Sequence, residues 1–228
     1  MRRREFLAFS ATSIGGVLVY SLDRNLTRVS AQTKSSSQII RVPLRFFTQS
    51  EALIVAAAAS RIFPSDESGP GANEAGVVIY IDRQLAGPWG RDRHRYTQPP
   101  FEEGAMAEFG YQGKATPREI YREALKGLNG FDSLSASDQD TKLKQIENTR
   151  FFALLRLNTL EGMFSDPIHG GNADMVGWQL IGFPGPQMSW AGDVDKHFGE
   201  AFRPAPMSLS QVLPGRKLRP SEDEELKS

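Results

Sequence analysis

Apolar residues recur at helical spacing along much of this 228-residue chain, and nowhere do they alternate with polar residues as a half-buried strand requires. The densest stretch is Phe151–Phe164, whose apolar side chains fall on nearly every face of a 3.6-residue helix. That pattern belongs to a helix enclosed by other elements, so it is read as the central helix. Upstream, Thr48-Gln-Ser-Glu51 is a capping box, and Leu53, Ala57 and Arg61 alternate with Ile54, Ala58 and Ile62. The spacing predicts a helix from Thr48 to Phe63 with an alanine-rich face suited to close packing, ended by Pro64. Asn73 or Ala72 opens the next helix, through Val77, Ile81 and Leu85 to Gly87-Pro88. Thr116-Pro117-Arg118-Glu119 is a second capping box with proline at its favoured first position, followed by Ile120, Tyr121, Ala124, Leu125 and Leu128 on one side. A charged helix starts at Ser135 with Leu143 and Ile146 facing inward, and Asn148-Thr149 separates it from the central helix. The expected architecture is mainly α: one helical domain around one buried central helix, with long irregular loops.

The breaks in this pattern are as informative. After Phe164, Asp166-Pro167 stops the helix, because proline restricts the residue before it and lacks an amide donor. Gly170-Gly171-Asn172 then permits a sharp turn, and Asp174 can cap a short helix through Met175, Val176, Trp178, Leu180 and Ile181, which Gly182-Phe183-Pro184-Gly185-Pro186 ends. From Trp89 to Gly113 no periodicity lasts. Arginines, His94 and aromatic residues fill that stretch, which is either packed on its own domain or ordered by a partner; the partner reading is favoured, since arginine and aromatics belong to interface cores. The tail, 204–228, is rich in proline, closes on Glu222-Asp223-Glu224-Glu225 and has no apolar face, so it is expected to be mobile or to wrap a partner.

Charge and cysteine content narrow the functional classes. With 27 basic and 27 acidic residues, nothing electrostatic points to nucleic acid. Cysteine is absent, which excludes disulfides, thiolate-ligated iron–sulfur clusters, CxxCH haem attachment and thiol nucleophiles in this chain. At the start, Arg3-Arg4-Glu5-Phe6-Leu7 is similar to a twin-arginine export signal, followed by a modest apolar run and the small-residue cleavage site Val29-Ser30-Ala31. Residues 1–31 are therefore read as a signal peptide cleaved after Ala31, residues 32–45 as a flexible leader, and 46–203 as the domain. The alternative is an uncleaved membrane anchor, against which the apolar run is shorter than the roughly 20 residues that span a bilayer and contains four hydroxyl residues.

No set of residues nominates a catalytic centre. Gly69, Gly71 and Gly76 do not match a dinucleotide fingerprint, and no Gly-Lys-Ser/Thr follows them. Asp166, His169 and Asp174 could be drawn as a metal or acid–base set, but aspartate before proline and asparagine after Gly-Gly more often satisfy turn backbone groups. Asp193-Val194-Asp195-Lys196-His197 also lacks metal-loop spacing. Arg156, Asn158, Thr159 and Glu161 interrupt the apolar central helix, either as an internal hydrogen-bonded network or as a polar strip facing a partner.

The run EGMFSDPIHGGNADMVGWQLIGFPGP, with RIFPSDESGPGANEAGVVIYIDRQLAGPWG and RYTQPPFEEG upstream, resembles the signature of the gluconate 2-dehydrogenase subunit 3 family. The resemblance covers roughly residues 46 to 203. It implies a non-catalytic small subunit bound to an FAD-dependent dehydrogenase for sugars, sugar acids or polyols, often beside a cytochrome c subunit. The family motif, and with it the expected partner interface, lies on Glu161, Gly162, Asp166, Pro167, His169, Gly170, Gly171, Asn172, Asp174, Trp178, Pro184 and Gly185. FAD is expected in the catalytic subunit and not in this chain. Together with the signal residues Arg3, Arg4, Phe6 and Leu7, this implies the twin-arginine translocase as a second partner and a location in the periplasm or on the outer face of the cytoplasmic membrane. A dedicated chaperone that assists flavin loading and export, then leaves, is the alternative.

Overall fold

The computed structural model describes residues 40, 42–95, 98–187, 191–193 and 196–213; Arg3, Arg4, Phe6, Leu7 and Ala31 lie outside them. Seven α-helices run through this region: α1 (Gln49–Ile62), α2 (Val77–Ala86), α3 (Pro117–Gly127), α4 (Ala136–Gln145), α5 (Arg150–Phe164), α6 (Val176–Ile181) and α7 (Leu209–Val212). Among the described residues there is no strand, only an isolated bridge between Asp66 and Gly69. No helix there is long and apolar enough to cross a membrane.

Local chemistry starts the helices where the sequence indicates. At α1 the Thr48 hydroxyl accepts from the Glu51 amide at 3.3 Å while the Glu51 carboxylate takes the Thr48 amide at 2.8 Å. The same reciprocal box opens α3 between Thr116 and Glu119. Thr149 caps α5 through the Phe152 amide. One start differs from expectation: α2 begins at Val77, after a run of turns ending at Gly76 in the left-handed region (φ 68°). Turn hydrogen bonds such as Val77 N–H to Ala72 O hold residues 72–76, so the apolar spacing there reflects burial of Ala72 and Ala75 without a helix.

α5 is the centre of the bundle, packed by α1, α2, α3 and α6. Phe151, Leu154, Leu155 and Met163 are buried along it, although Leu157 stays 49% exposed. Its approach to α2 is set at Gly162, where a Cβ would come within 3.1 Å of Val77 Cγ1 and 3.3 Å of Tyr80 Cβ. The alanine face of α1 (Ala52, Ala56, Ala59) lets that helix close on the same core. Each fully buried large side chain here contributes about 1.5–3 kcal/mol.

Charged groups fasten the periphery. Asp82, 1% exposed on α2, accepts the backbone amides of Arg45, Phe46 and Phe47 at 2.7, 3.0 and 2.8 Å, anchoring the chain entering α1. Arg118 donates to Leu85 O and Ala86 O at 2.5 and 2.7 Å, satisfying carbonyls at the C-terminus of α2. Arg61 and Asp140 form a two-pronged pair, 2.8 Å each, tying α1 to α4.

Residues 204–213 differ from the expected mobile tail. Ser208 is 5% exposed, its amide is capped by Gln211 at 2.8 Å, and the turn of α7 follows. The segment is held by backbone hydrogen bonds and not by an apolar stripe, so periodicity had nothing to register. Residues 214–228 lie outside the described residues.

Candidate functional site

The polar residues of α5 turn inward to one another. Tyr121 of α3 donates to Asn158 Oδ1 at 2.9 Å, and Asn158 Nδ2 donates to Glu161 Oε2 at 3.0 Å. Tyr80 of α2 donates to the same Glu161 oxygen at 3.1 Å. Thr159 returns its hydroxyl to Leu155 O at 2.7 Å, within the helix. Of the two readings of this strip, an internal network holds for Asn158, Thr159 and Glu161. Burial, and then the neighbouring Glu161 carboxylate, push both tyrosines well above the ordinary phenol value, so both remain protonated donors at neutral pH. Three helices are thereby registered on one carboxylate.

The turn after α5 is built by three side chains used as backbone substitutes. Asp166 accepts from the Ile168 amide at 3.0 Å with one oxygen and from the Leu209 amide at 2.7 Å with the other. Asn172, fully buried at φ 48°, donates to Ser165 O at 2.9 Å and accepts from the Gly177 amide at 2.8 Å. Trp178, 3% exposed, donates its indole N–H to Phe164 O at 2.7 Å and meets Phe183 edge-on at 5.2 Å between centroids. Asp174 does not cap α6. It sits at φ 52° in a short 3₁₀ turn and is exposed, while Asn172 supplies the acceptor that the helix entrance needs.

The glycines of the same stretch mark where backbones touch. A Cβ on Gly171 would lie 2.3 Å from Gly162 O, and one on Gly177 only 1.8 Å from Met163 O. Gly170 (φ 100°) faces Arg83, and Gly185 (φ 83°) would drive a Cβ to 2.0 Å from Met207 O. Pro184 O accepts the Met207 amide at 3.1 Å, so the segment before α7 closes over the motif. Pro167 is half-buried at the start of its 3₁₀ turn, and His169 is exposed at its end.

The residues that resemble the family signature therefore converge into one lobe at the C-terminal end of α5, and most of their polar atoms are spent within it. On its flank Ile181, Phe183 and Met207 are 59%, 43% and 43% exposed. Asp166, His169 and Asp174 do not form a metal set: among the described residues no three histidines and carboxylates are grouped to hold an ion. His197 stacks on Phe202 at 3.9 Å; Asp195 lies outside the described residues. The glycine loop at 64–73 is likewise filled by its own chain, with the Gly71 amide taken by Ser65 Oγ and the Glu74 carboxylate at 3.1 and 3.0 Å. A carboxylate in that position repels a phosphate. Asp82 and the Tyr80–Glu161 contact were not nominated by the sequence; a lone aspartate on an apolar helix face is the one signal that could have found the former.

Within the loop 89–113, Arg95 is clamped to Asp92 and donates to Gly113 O and Tyr111 O at 2.9 and 3.4 Å. Its two ends are thus packed on their own domain, while Met106 and Phe109 are 63% and 65% exposed. The sequence profile of a family described as gluconate 2-dehydrogenase subunit 3 matches residues 49–185, from the start of α1 to the last glycine of the lobe. Neither a curated protein nor a solved structure matches the chain.

Proposed function

The chain belongs to the gluconate 2-dehydrogenase subunit 3 family, and from that premise we propose that it is the non-catalytic small subunit of an exported FAD-dependent dehydrogenase complex oxidising sugars, sugar acids or polyols. It stabilises the flavin-bearing catalytic subunit and carries the complex's export signal. The observation that supports this best is the lobe itself: Asp166, Asn172 and Trp178 are committed to internal hydrogen bonds, and outward, beside the exposed His169 and Asp174, the lobe presents the apolar side chains of Ile181, Phe183 and Met207. Apolar side chains left in water next to a rigid frame suit burial against another subunit.

On this reading FAD and substrate belong to the catalytic subunit, and electrons pass onward through a cytochrome c subunit. Arg3, Arg4, Phe6 and Leu7 address the assembly to the twin-arginine translocase, Ala31 precedes the cut, and the complex works in the periplasm or on the outer face of the cytoplasmic membrane. Purifying the exported complex through a tag on the flavoprotein tests the assignment. One copy of this chain per flavin is expected; export of an active flavoprotein lacking it assigns the chaperone role instead. Lysine at positions 3 and 4 should retain the flavoprotein in the cytoplasm, and undisturbed export rejects the carrier role. If the isolated chain is yellow, or reduces a dye with glucose or gluconate, the non-catalytic assignment fails.

A further inference from the structure

On the side of the bundle where α3 and α5 begin, the ends of the loop 89–113 enclose a cleft of about 390 Å³. This is within the range of small-molecule pockets. Its apolar and aromatic lining includes Trp89, Tyr111, Ile120 and Leu154. Its charged groups are Asp92, Arg95 and Arg150, with His94 beside them.

The two arginines play different parts. Arg95 directs Nε and Nη2 at Asp92 Oδ2, 2.8 and 2.5 Å, and Nη1 at the Gly113 and Tyr111 carbonyls, so its donors are consumed in holding the wall together. The Asp92 charge is neutralised by the same contact. Arg150 rests its guanidinium on the Tyr111 ring, 4.8 Å from the centroid. Among the described residues no carboxylate or carbonyl takes its N–H groups. Stacking holds a guanidinium by its face and leaves its edge, a planar fork matched to a carboxylate, free for an acceptor. Arg150 is also the first residue of α5, where unpaired amides and the helix dipole add positive potential. The cleft thus carries a guanidinium with no hydrogen-bonded or ion-paired acceptor among the described residues and apolar walls that would cover a ligand's body, while Glu119 and Glu123 line the neighbouring groove that Arg150 also borders.

We infer that this cleft is a binding site for a small organic carboxylate, whose carboxylate is held by Arg150 and whose C–H or ring face lies against Trp89. Arg95 and Asp92 position the Tyr111 wall. The inference stands apart from the subunit's place in a dehydrogenase, because it uses none of the lobe residues.

Isothermal titration of the full chain with gluconate and with benzoate tests it, using glucose and benzyl alcohol as neutral counterparts. At least one acid should saturate in the low millimolar range or below, and its neutral counterpart should bind at least tenfold more weakly. Arg150→Gln should weaken the acid at least tenfold, Arg150→Lys should fall between it and the parent, and Lys126→Gln, which removes an exposed charge outside the cleft, should change nothing. Because Arg150 is exposed, the Gln variant should melt with the parent; should it not, Ile120→Trp, which fills the cleft from α3, must abolish binding in its place. The site is rejected if neither acid saturates by 20 mM, if the neutral molecules bind within threefold of the acids, or if a folded Arg150→Gln variant binds as the parent does. If neither acid saturates while Arg150→Gln releases the catalytic subunit on gel filtration, the cleft belongs to an acidic side chain of that subunit, and the small-ligand site is overturned.

Discussion

Replacing Asn172 by alanine should be among the most damaging single changes outside the apolar core. The side chain is fully buried and satisfies two backbone groups, Ser165 O and Gly177 N–H, that no other described side chain reaches. Each buried backbone group left without a partner costs about 1–3 kcal/mol. Alanine also tolerates the left-handed backbone at φ 48° less well than asparagine, adding about 1 kcal/mol. Some recovery through entering water leaves an expected loss of about 4 kcal/mol, or about 8–16 °C at 2–4 °C per kcal/mol for a domain of this size. Asn172→Gly separates the two contributions, since glycine removes the hydrogen bonds without backbone strain and should melt about 2–4 °C above the alanine variant. Differential scanning calorimetry of the two variants and the parent provides the comparison. An alanine variant melting within 3 °C of the parent, or a glycine variant melting below the alanine variant, would refute this account of the turn.

Other positions yield sharper contrasts. Asp82→Ala strands three amides at once and should destabilise by about 3 kcal/mol or more, with the amides of Arg45, Phe46 and Phe47 losing most of their hydrogen-exchange protection; unchanged exchange there would remove Asp82 as the anchor. Gly177→Ala meets the backbone carbonyl of Met163, whereas Gly162→Ala meets only side-chain atoms of Val77 and Tyr80, so the first should cost about 3 kcal/mol or more and the second about 1–2, and equal melting points would contradict the packing described. The Arg61 hydrogen bonds hold Asp140 below its ordinary value of 3.8 despite partial burial. A carboxyl depressed by folding stabilises above its unfolded pKa and loses that contribution as pH falls through the folded value. Asp140→Asn should therefore lie below the parent by under about 1 kcal/mol from pH 7 to 5, with the gap closing below about pH 4; a gap constant to pH 2.5 would assign the difference to something other than ionisation.

What could be read in advance follows the range of each interaction along the chain. The boxes at Thr48 and Thr116 are complete within four residues, and the enclosure of α5 is written in its own composition, so these were legible. The end of the domain was not: Leu209 N–H reaches Asp166 across 43 positions, and backbone donors leave no mark on residue type. The same holds for the Tyr80–Glu161 contact, 81 positions apart, which decided between two open readings of the polar strip on α5. Asp174 misled for a different reason. As a carboxylate ahead of an apolar run it has cap chemistry, but its left-handed backbone carries the carboxylate away from the helix entrance, and Asn172 two residues earlier does the work. The loop 89–113 was legible as irregular, but not the clamping of its ends by Arg95.

The strap from Met207 to Leu209 has a consequence for biosynthesis. Asp166 leaves the ribosome 43 positions ahead of Leu209, which at 5–20 residues per second is a delay of about 2–9 s. During that interval the lobe has its indole and its turns but lacks its outer latch. Until Met207 and Leu209 have been made, Pro184 O and one Asp166 oxygen lack the backbone donors that the finished chain supplies, so this end of the domain closes last.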